Sequence, residues 1–369
     1  MTFNSMPFGR HNLNIQFIEP YDGGSHRSFR EGLEQYSAHE ITSMTLPARF
    51  WKWRMRGSAM LFADQINEKK PDVDLFIATD YLNVADMKGM LNSPYHRVPI
   101  LLYMHENQLT YPLSPEEEFD FHFGFTNILS CIAADKVVFN SEFHRNLFLE
   151  SIPKYVGKMP ESIPKNIQPR IAEKSLSLPV GIGRNPGHTP LREVSSEPTI
   201  LWNHRWEFDK RPEMFTAAIL RLLDSDVNLK VMLLGEERQN EKNFARLAER
   251  LGPNLLHSGF LPSRDDYNKC LEQADIVVSC AAQEYFGISV AEAIHAGCYP
   301  VLPSEQVYPS LYGNCTGAHL YDGEDGLVKL LQELIAGKHR HDCPLPLQSD
   351  SYCWQNLAPR YDKLFEEIV

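Results

Sequence analysis

The run Ile276-Val-Val-Ser-Cys280 is followed, across a short polar loop, by Glu284-Tyr-Phe-Gly-Ile-Ser-Val-Ala-Glu292 and then Ala293-Ile-His-Ala-Gly297. The first run is β-branched and apolar, as in a strand buried on both faces. The second opens near a glycine and continues as a helix. A glycine here lets the loop close on a ligand, and the first amides of the helix have no partner of their own. Such a strand–loop–helix unit suits an anion, and a diphosphate is its natural occupant. Glu284 is then expected in the loop and Glu292 in the second helical turn, facing different parts of one extended ligand, such as a sugar and a ribose hydroxyl. The competing reading is an ordinary strand–loop–helix unit with surface glutamates, because two such residues at this spacing are common.

Working outward, the same alternation recurs. Apolar runs at 199–202, 229–234, 255–258 and 299–302 are separated by helical stretches at 212–223, 241–251 and 264–273. In the first half, strands are predicted at 13–18, 73–78, 100–104 and 136–139, with helices at 26–35, 58–67, 119–133 and 141–150. This pattern predicts an α/β fold with parallel sheets. Residues 152–170 hold four prolines and read as an irregular loop. Residues 179–198, with Gly181, Gly183, Pro186, Gly187, Pro190 and Pro198, read as a flexible linker. The expected organisation is a first domain over 1–178, the linker, a second domain over 199–350 and a terminal amphipathic helix within 351–369. A ligand cleft is expected between the carboxyl edges of the two sheets.

At 369 residues the chain fits two domains, and 43% hydrophobic with 23% charged residues is a globular balance. No stretch approaches the roughly 18 uncharged apolar residues of a membrane span, and the first residues are polar. The seven cysteines are scattered without a CxxC pair, which points to a reducing, cytoplasmic setting. A net charge of −12 disfavours a broad nucleic-acid surface, so any RNA contact is expected to be local.

Further clusters follow predicted strand ends. Arg205 and Lys210, within Trp202-Asn-His-Arg-Trp-Glu-Phe-Asp-Lys-Arg-Pro212, suit a negatively charged leaving group; a solvated basic turn is the alternative. Gly23 and Gly24, in Glu19-Pro-Tyr-Asp-Gly-Gly-Ser-His26, permit close backbone approach to a phosphate or sugar, or simply make a tight connection. His105, Glu106 and Asn107 stand in a row of hydrogen-bonding side chains that packing alone does not call for. Ser141 reads as a helix cap. The stretch Pro47-Ala-Arg-Phe-Trp-Lys-Trp-Arg-Met-Arg56 interleaves cations with aromatics, as in sites that hold phosphates while stacking on bases; a partly buried aromatic turn with outward cations competes. HExxH, GxSxG and GxxxxGK[ST] are absent, and no metal is required.

Taken together, the Arg205/Lys210 pair, the turn His257-Ser-Gly-Phe260, the Glu284 to Glu292 spacing and Trp354-Gln-Asn-Leu-Ala358 resemble the GT-B glycosyltransferases of the family 4 type. The strings YDGGSH, LPARFWKWRMRGSA, MHENQLTYP, NSEFHRN and WNHRWEFDKRPE are similar to those of the glycosyltransferase-like-domain group whose animal members are tRNA-queuosine α-mannosyltransferases. The resemblance implies two Rossmann-like domains with parallel sheets facing a central cleft, a terminal helix crossing back to the first domain, and metal-independent retaining transfer of mannose from GDP-mannose to queuosine in the anticodon of aspartate tRNA. Guanine and mannose come from the resemblance alone. Carried over, Arg205 and Lys210 neutralise the diphosphate with the amides around Phe286, Gly287, Ile288 and Ser289. Glu292 holds the ribose, Glu284 binds sugar hydroxyls and Phe260 lies near the base. Gly23 and Gly24 approach the donor, and His105 sits by the sugar or acceptor. Ser25, His26, Arg49, Trp51, Lys52, Trp53, Arg54, Glu106 and Asn107 are expected on the acceptor side. Other donors with small-molecule or glycan acceptors, a nucleotide-sugar epimerase on the same scaffold, and a binding module without turnover remain open. An epimerase turns over donor alone, and a binding module turns over nothing.

Overall fold

The computed structural model describes residues 12–113, 118–161, 163–236, 241–313, 320–338 and 348–369. Within them, two six-stranded sheets form, and every described strand pairing is parallel. The first contains β1 (Asn14–Asp22), β2 (Glu40–Pro47), β3 (Leu75–Thr79), β4 (Ile100–Met104), β5 (Lys136–Phe139) and β6 (Ser175–Ser177), in the order β2-β1-β3-β4-β5-β6. The second contains β7 (Thr199–Asn203), β8 (Lys230–Leu234), β9 (Leu255–Gly259), β10 (Ile276–Val278), β11 (Tyr299–Pro303) and β12 (Leu320–Tyr321), in the order β12-β11-β10-β7-β8-β9. The strand order reverses between β1 and β3 in one sheet and between β7 and β10 in the other. Ligands of such sheets bind outside the carboxyl ends of the strands at these reversals.

Central strands read as continuous apolar runs because helices cover both of their faces. β3, β4, β7 and β11 are buried at every residue. The edge strand β2 alternates in exposure and carries Thr and Ser, so it had no apolar signature to read. β6 and β12, also at sheet edges, are too short to show one.

Three expectations are corrected. β1 runs on to Asp22, because its pairing with β2 continues through Glu19 and, past an irregularity, reaches Pro47; Glu19 is therefore a buried strand residue. The stretch 152–170 is helical at both ends: one helix spans Glu142–Val156 through Pro153, and another spans Ile167–Glu173. Residues 179–198 are not a loose linker. Their backbone bonds to His295 and Gly297 through Thr189 and Arg192, and the Arg192 guanidinium donates to Leu271 O at 3.2 Å.

The terminal helix, Trp354–Ile368, packs on the first domain. Its buried face of Trp354, Leu357, Ala358, Tyr361 and Phe365 joins Phe29, Leu33, Tyr103 and Val180 in one cluster. The Trp354 indole fits because Gly32 and Gly181 have no side chains; a Cβ at either would stand 2.0 Å or 2.2 Å from its Cε2. Tyr361 Oη donates to Pro179 O at 2.8 Å, and Asp362 accepts from the Ala38 amide at 3.0 Å. Emptying this seat with Trp354→Ala is expected to destabilise the protein by about 3–5 kcal/mol in urea unfolding. A loss under about 1 kcal/mol, the scale of an ordinary surface change, would contradict this packing role.

Candidate active site

A cavity of about 300 Å³ lies where the two sheet reversals face each other. Gly23, Gly24, Ser25 and His26 reach it from the end of β1, Tyr81 from beyond β3, and His105 with Glu106 from beyond β4. From the other side come His204, Arg205 and Lys210 after β7, and Glu284 through Ser289 after β10. The helix Ile288–His295 starts here, with Gly287 before it at φ 80°, a left-handed conformation that suits glycine. The amides of Ile288 and Ser289, in the first turn, have no intrahelical acceptor.

Lys210 is buried. Its Nζ donates to Gln283 O at 2.7 Å and pairs with Asp209 at 3.1 Å and Glu284 at 3.3 Å. Burial alone would lower its pKa, but the charges of Glu284 and Asp209 outweigh that and raise it. Glu284 mirrors this: burial pushes its pKa up, yet Lys210, then His204, hold it below the usual carboxylate value. Its Oε1 accepts the Gly287 amide at 3.0 Å, so the carboxylate joins the lysine to the helix start. Arg205 pairs with Glu207 at 3.2 Å, and 44% of its side chain is exposed to the cleft.

Across the cavity, His26 Nδ1 meets Glu19 Oε2 at 3.1 Å, and Glu19 also accepts from Thr79 Oγ1 at 3.0 Å. Burial opposes protonation of His26, but Glu19, helped by Asp80 and Glu106, lifts its pKa from 6.5 to about 9. His105 stacks on His26 with ring centroids 4.0 Å apart. Burial, then the His26 charge, push its pKa well below 6.5, and its Nε2 has no hydrogen-bond partner among the described residues. Asp80 accepts the His105 amide at 2.9 Å, and burial raises its pKa to about 7 despite the opposing pull of His26. At neutral pH, then, His26 is cationic and His105 neutral.

Several expected site residues stand elsewhere. Asn107 is buried at the domain interface, donating to Tyr285 Oη at 3.1 Å and to His144 Nε2 at 3.0 Å and accepting the Leu109 and Thr110 amides, so no group is left for an acceptor. Arg54 is also turned inward. The basic-aromatic stretch forms the start of the helix Trp51–Lys69, whose periodicity sends Arg54 to the buried face, where it donates to Pro47 O at 3.2 Å. Arg49, Lys52 and Trp53 are exposed, while Trp51 is half-buried. Glu292 does not line the cavity; it is held by Arg264, by Tyr267 Oη at 3.1 Å and by the Gly183 amide. Phe260 is 65% exposed and apart from the cavity. Ser141 caps its helix by accepting the His144 amide. Sequence reading missed the roles of Glu19, Asp80, Tyr81 and Tyr285. Asp80 and Tyr81 carried a usable signal, a polar pair directly after the apolar run of β3.

Residues 14–182 match the family model for the tRNA-queuosine alpha-mannosyltransferase N-terminal domain, and residues 188–343 match that of glycosyl transferases group 1. The tRNA-queuosine alpha-mannosyltransferase of Drosophila melanogaster is 34% identical over 96% of this chain and 97% of its own. Among solved structures, Anabaena HepE in complex with UDP and glucose superposes with a TM-score of 0.63 at 14% identity, covering 96% of this chain and 100% of that one. Sucrose-phosphate synthase from Thermosynechococcus elongatus gives 0.67 at 13% identity, covering 97% and 99%. The first two similarities carry a family and the last two a two-domain GT-B fold: this chain belongs to the tRNA-queuosine α-mannosyltransferase family of glycosyltransferases.

Proposed function

We propose that this protein is a retaining mannosyltransferase that moves mannose from GDP-mannose to queuosine in the anticodon of aspartate tRNA. The observation that carries this reading is the convergence of Arg205 and Lys210 on a cavity that also receives the amide end of the helix Ile288–His295 and the Gly23–Gly24 turn. Two cations and a helix N-terminus in a confined space match a diphosphate that gains charge as it leaves. The arriving diphosphate offers Lys210 a stronger partner than Glu284 and releases that carboxylate for sugar hydroxyls.

The acceptor hydroxyl attacks the anomeric carbon from the face the phosphate leaves. The bond from C1 to the phosphate oxygen breaks as the new glycosidic bond forms, and the departing phosphate takes the hydroxyl proton. The protein supplies charge stabilisation and position, and no divalent ion. Glu19, His26 and His105 lie close enough to share a cation, but protonated His26 already balances Glu19. The neutral, unpartnered Nε2 of His105 suits a hydroxyl of the sugar or acceptor. The described cysteines are free thiols, in keeping with a cytoplasmic setting. No helix among the described residues is long and apolar enough to cross a membrane.

With radiolabelled GDP-mannose and queuosine-containing bulk tRNA, label is expected in the tRNA, and Lys210→Ala is expected to lower kcat/KM by about 10²–10³. Excess chelator should leave transfer unchanged; loss restored by magnesium would overturn the metal-free mechanism, as would a covalent glycosyl-enzyme. The His26–Glu19 pair also sets a pH dependence. Because the folded pKa of His26 is raised, its contribution to stability is complete below pH 6.5 and is lost as pH rises through about 9. Unfolding midpoints from pH 6 to 10 should fall across that window in the wild type and much less in His26→Asn, whereas equal slopes would refute the pair.

A further inference from the structure

Beside the donor cavity lies a second one of about 500 Å³, large enough for a nucleoside. The two share Tyr21, Tyr81, Glu106, Tyr111 and Arg205. Part of its wall is aromatic: Trp51 meets Phe123 with ring centroids 5.0 Å apart and Tyr81 at 6.1 Å. Of the residues that line this chamber, the transfer chemistry described above uses only Arg205.

Glu106 sits at its junction with the donor cavity. The carboxylate accepts from Tyr81 Oη at 2.6 Å and Gln108 Nε2 at 3.0 Å, both neutral donors, and it forms no ion pair among the described residues. Of the other charged groups on the chamber's wall, Arg205, Glu207 and Asp120 are paired, Lys52 lies with its Nζ 5.4 Å from the Trp51 ring centroid, and Glu118 is exposed. Glu207 holds Arg205, and Asp120 caps the helix Phe121–Ala133 and faces His122 at 3.0 Å and Arg56 at 3.9 Å. A half-buried carboxylate whose direct contacts are neutral donors, with His26 and Arg205 acting on it only from beyond ion-pair distance, favours an ammonium group beside aromatic faces through charge, hydrogen bonding and cation–π attraction. The same carboxylate repels phosphate. A bound RNA strand therefore keeps its backbone outside, where Arg49, Lys52 and Arg56 are exposed, and only a base enters.

We propose that this chamber is the acceptor-base subsite: it takes one extruded nucleobase against Trp51 and anchors a protonated amine on that base with Glu106, directing the hydroxyls beyond the amine into the donor cavity. The proposal deepens the acceptor reading above and rests on it. Queuosine has the required chemistry, since a secondary amine joins its ring to the cyclopentenediol. Unmodified guanosine has no such group.

The test is calorimetric binding of queuosine nucleoside and its N-acetylated form, whose amine is neutral, to the full-length protein loaded with GDP. Wild type is expected to prefer the free amine by roughly tenfold or more. In Glu106→Gln that preference should collapse, whereas Trp51→Leu should weaken both ligands alike. Both nucleosides are compared on the same variant, so a partial folding defect cancels from the ratio. Equal binding by the wild type, or a preference that survives Glu106→Gln, would overturn the subsite. Binding is read without turnover, so the expected preference in a protein that transfers no mannose to tRNA would sustain the subsite and sink the acceptor reading.

Discussion

Glu284 divides its carboxylate between the buried Lys210 ammonium and the Gly287 amide, and the donor half of the cleft depends on that division. A lysine this deep is held charged only by anions beside it, and here Asp209 and Glu284 supply them. The same contact fixes the loop before the helix Ile288–His295, so cation and helix start face one space. Removing Lys210 leaves a buried carboxylate without its partner, and removing Glu284 releases both the lysine and the loop. Lysine, carboxylate and helix start are therefore organised together around one space.

The opposite wall solves a related problem with a different pair. Glu19 has no exposure at all, and protonated His26 neutralises it. The stacked His105 is kept uncharged by that neighbour and by its own burial. One wall of the cavity thus carries cations and a helix start, and the other carries a neutral imidazole nitrogen. The terminal helix, through Trp354 seated against Gly32 and Gly181, ties the end of the chain to the first domain. The overall charge of −12 is consistent with this economy, because the cations that matter are few and local.

Much of the fold was legible because β4 and β11 are buried on both faces and must be apolar throughout. The edge strand β2 was not, since one ladder partner and partial exposure allow Thr and Ser. The placement of Arg205, Lys210, Glu284 and Gly287 around the cavity was readable from their positions just beyond strand ends. Asn107 and Arg54 misled for one shared reason: composition marks a residue as polar but not whether its partner is a ligand or the protein. Asn107 is consumed by Tyr285, 178 positions away in the chain, and Arg54 by a backbone carbonyl. Glu19 and Tyr285 were missed because their roles exist only once distant segments meet.

The central claim is that the cleft recognises a diphosphate through Lys210 and the helix start. Calorimetric titration with GDP and with GMP tests it most directly. The account predicts that GDP binds roughly tenfold or more tightly than GMP, as charge-assisted contacts to one further phosphate imply, and that Lys210→Ala abolishes most of this difference. Equal affinities in the wild type, or a difference that survives in Lys210→Ala, would contradict it.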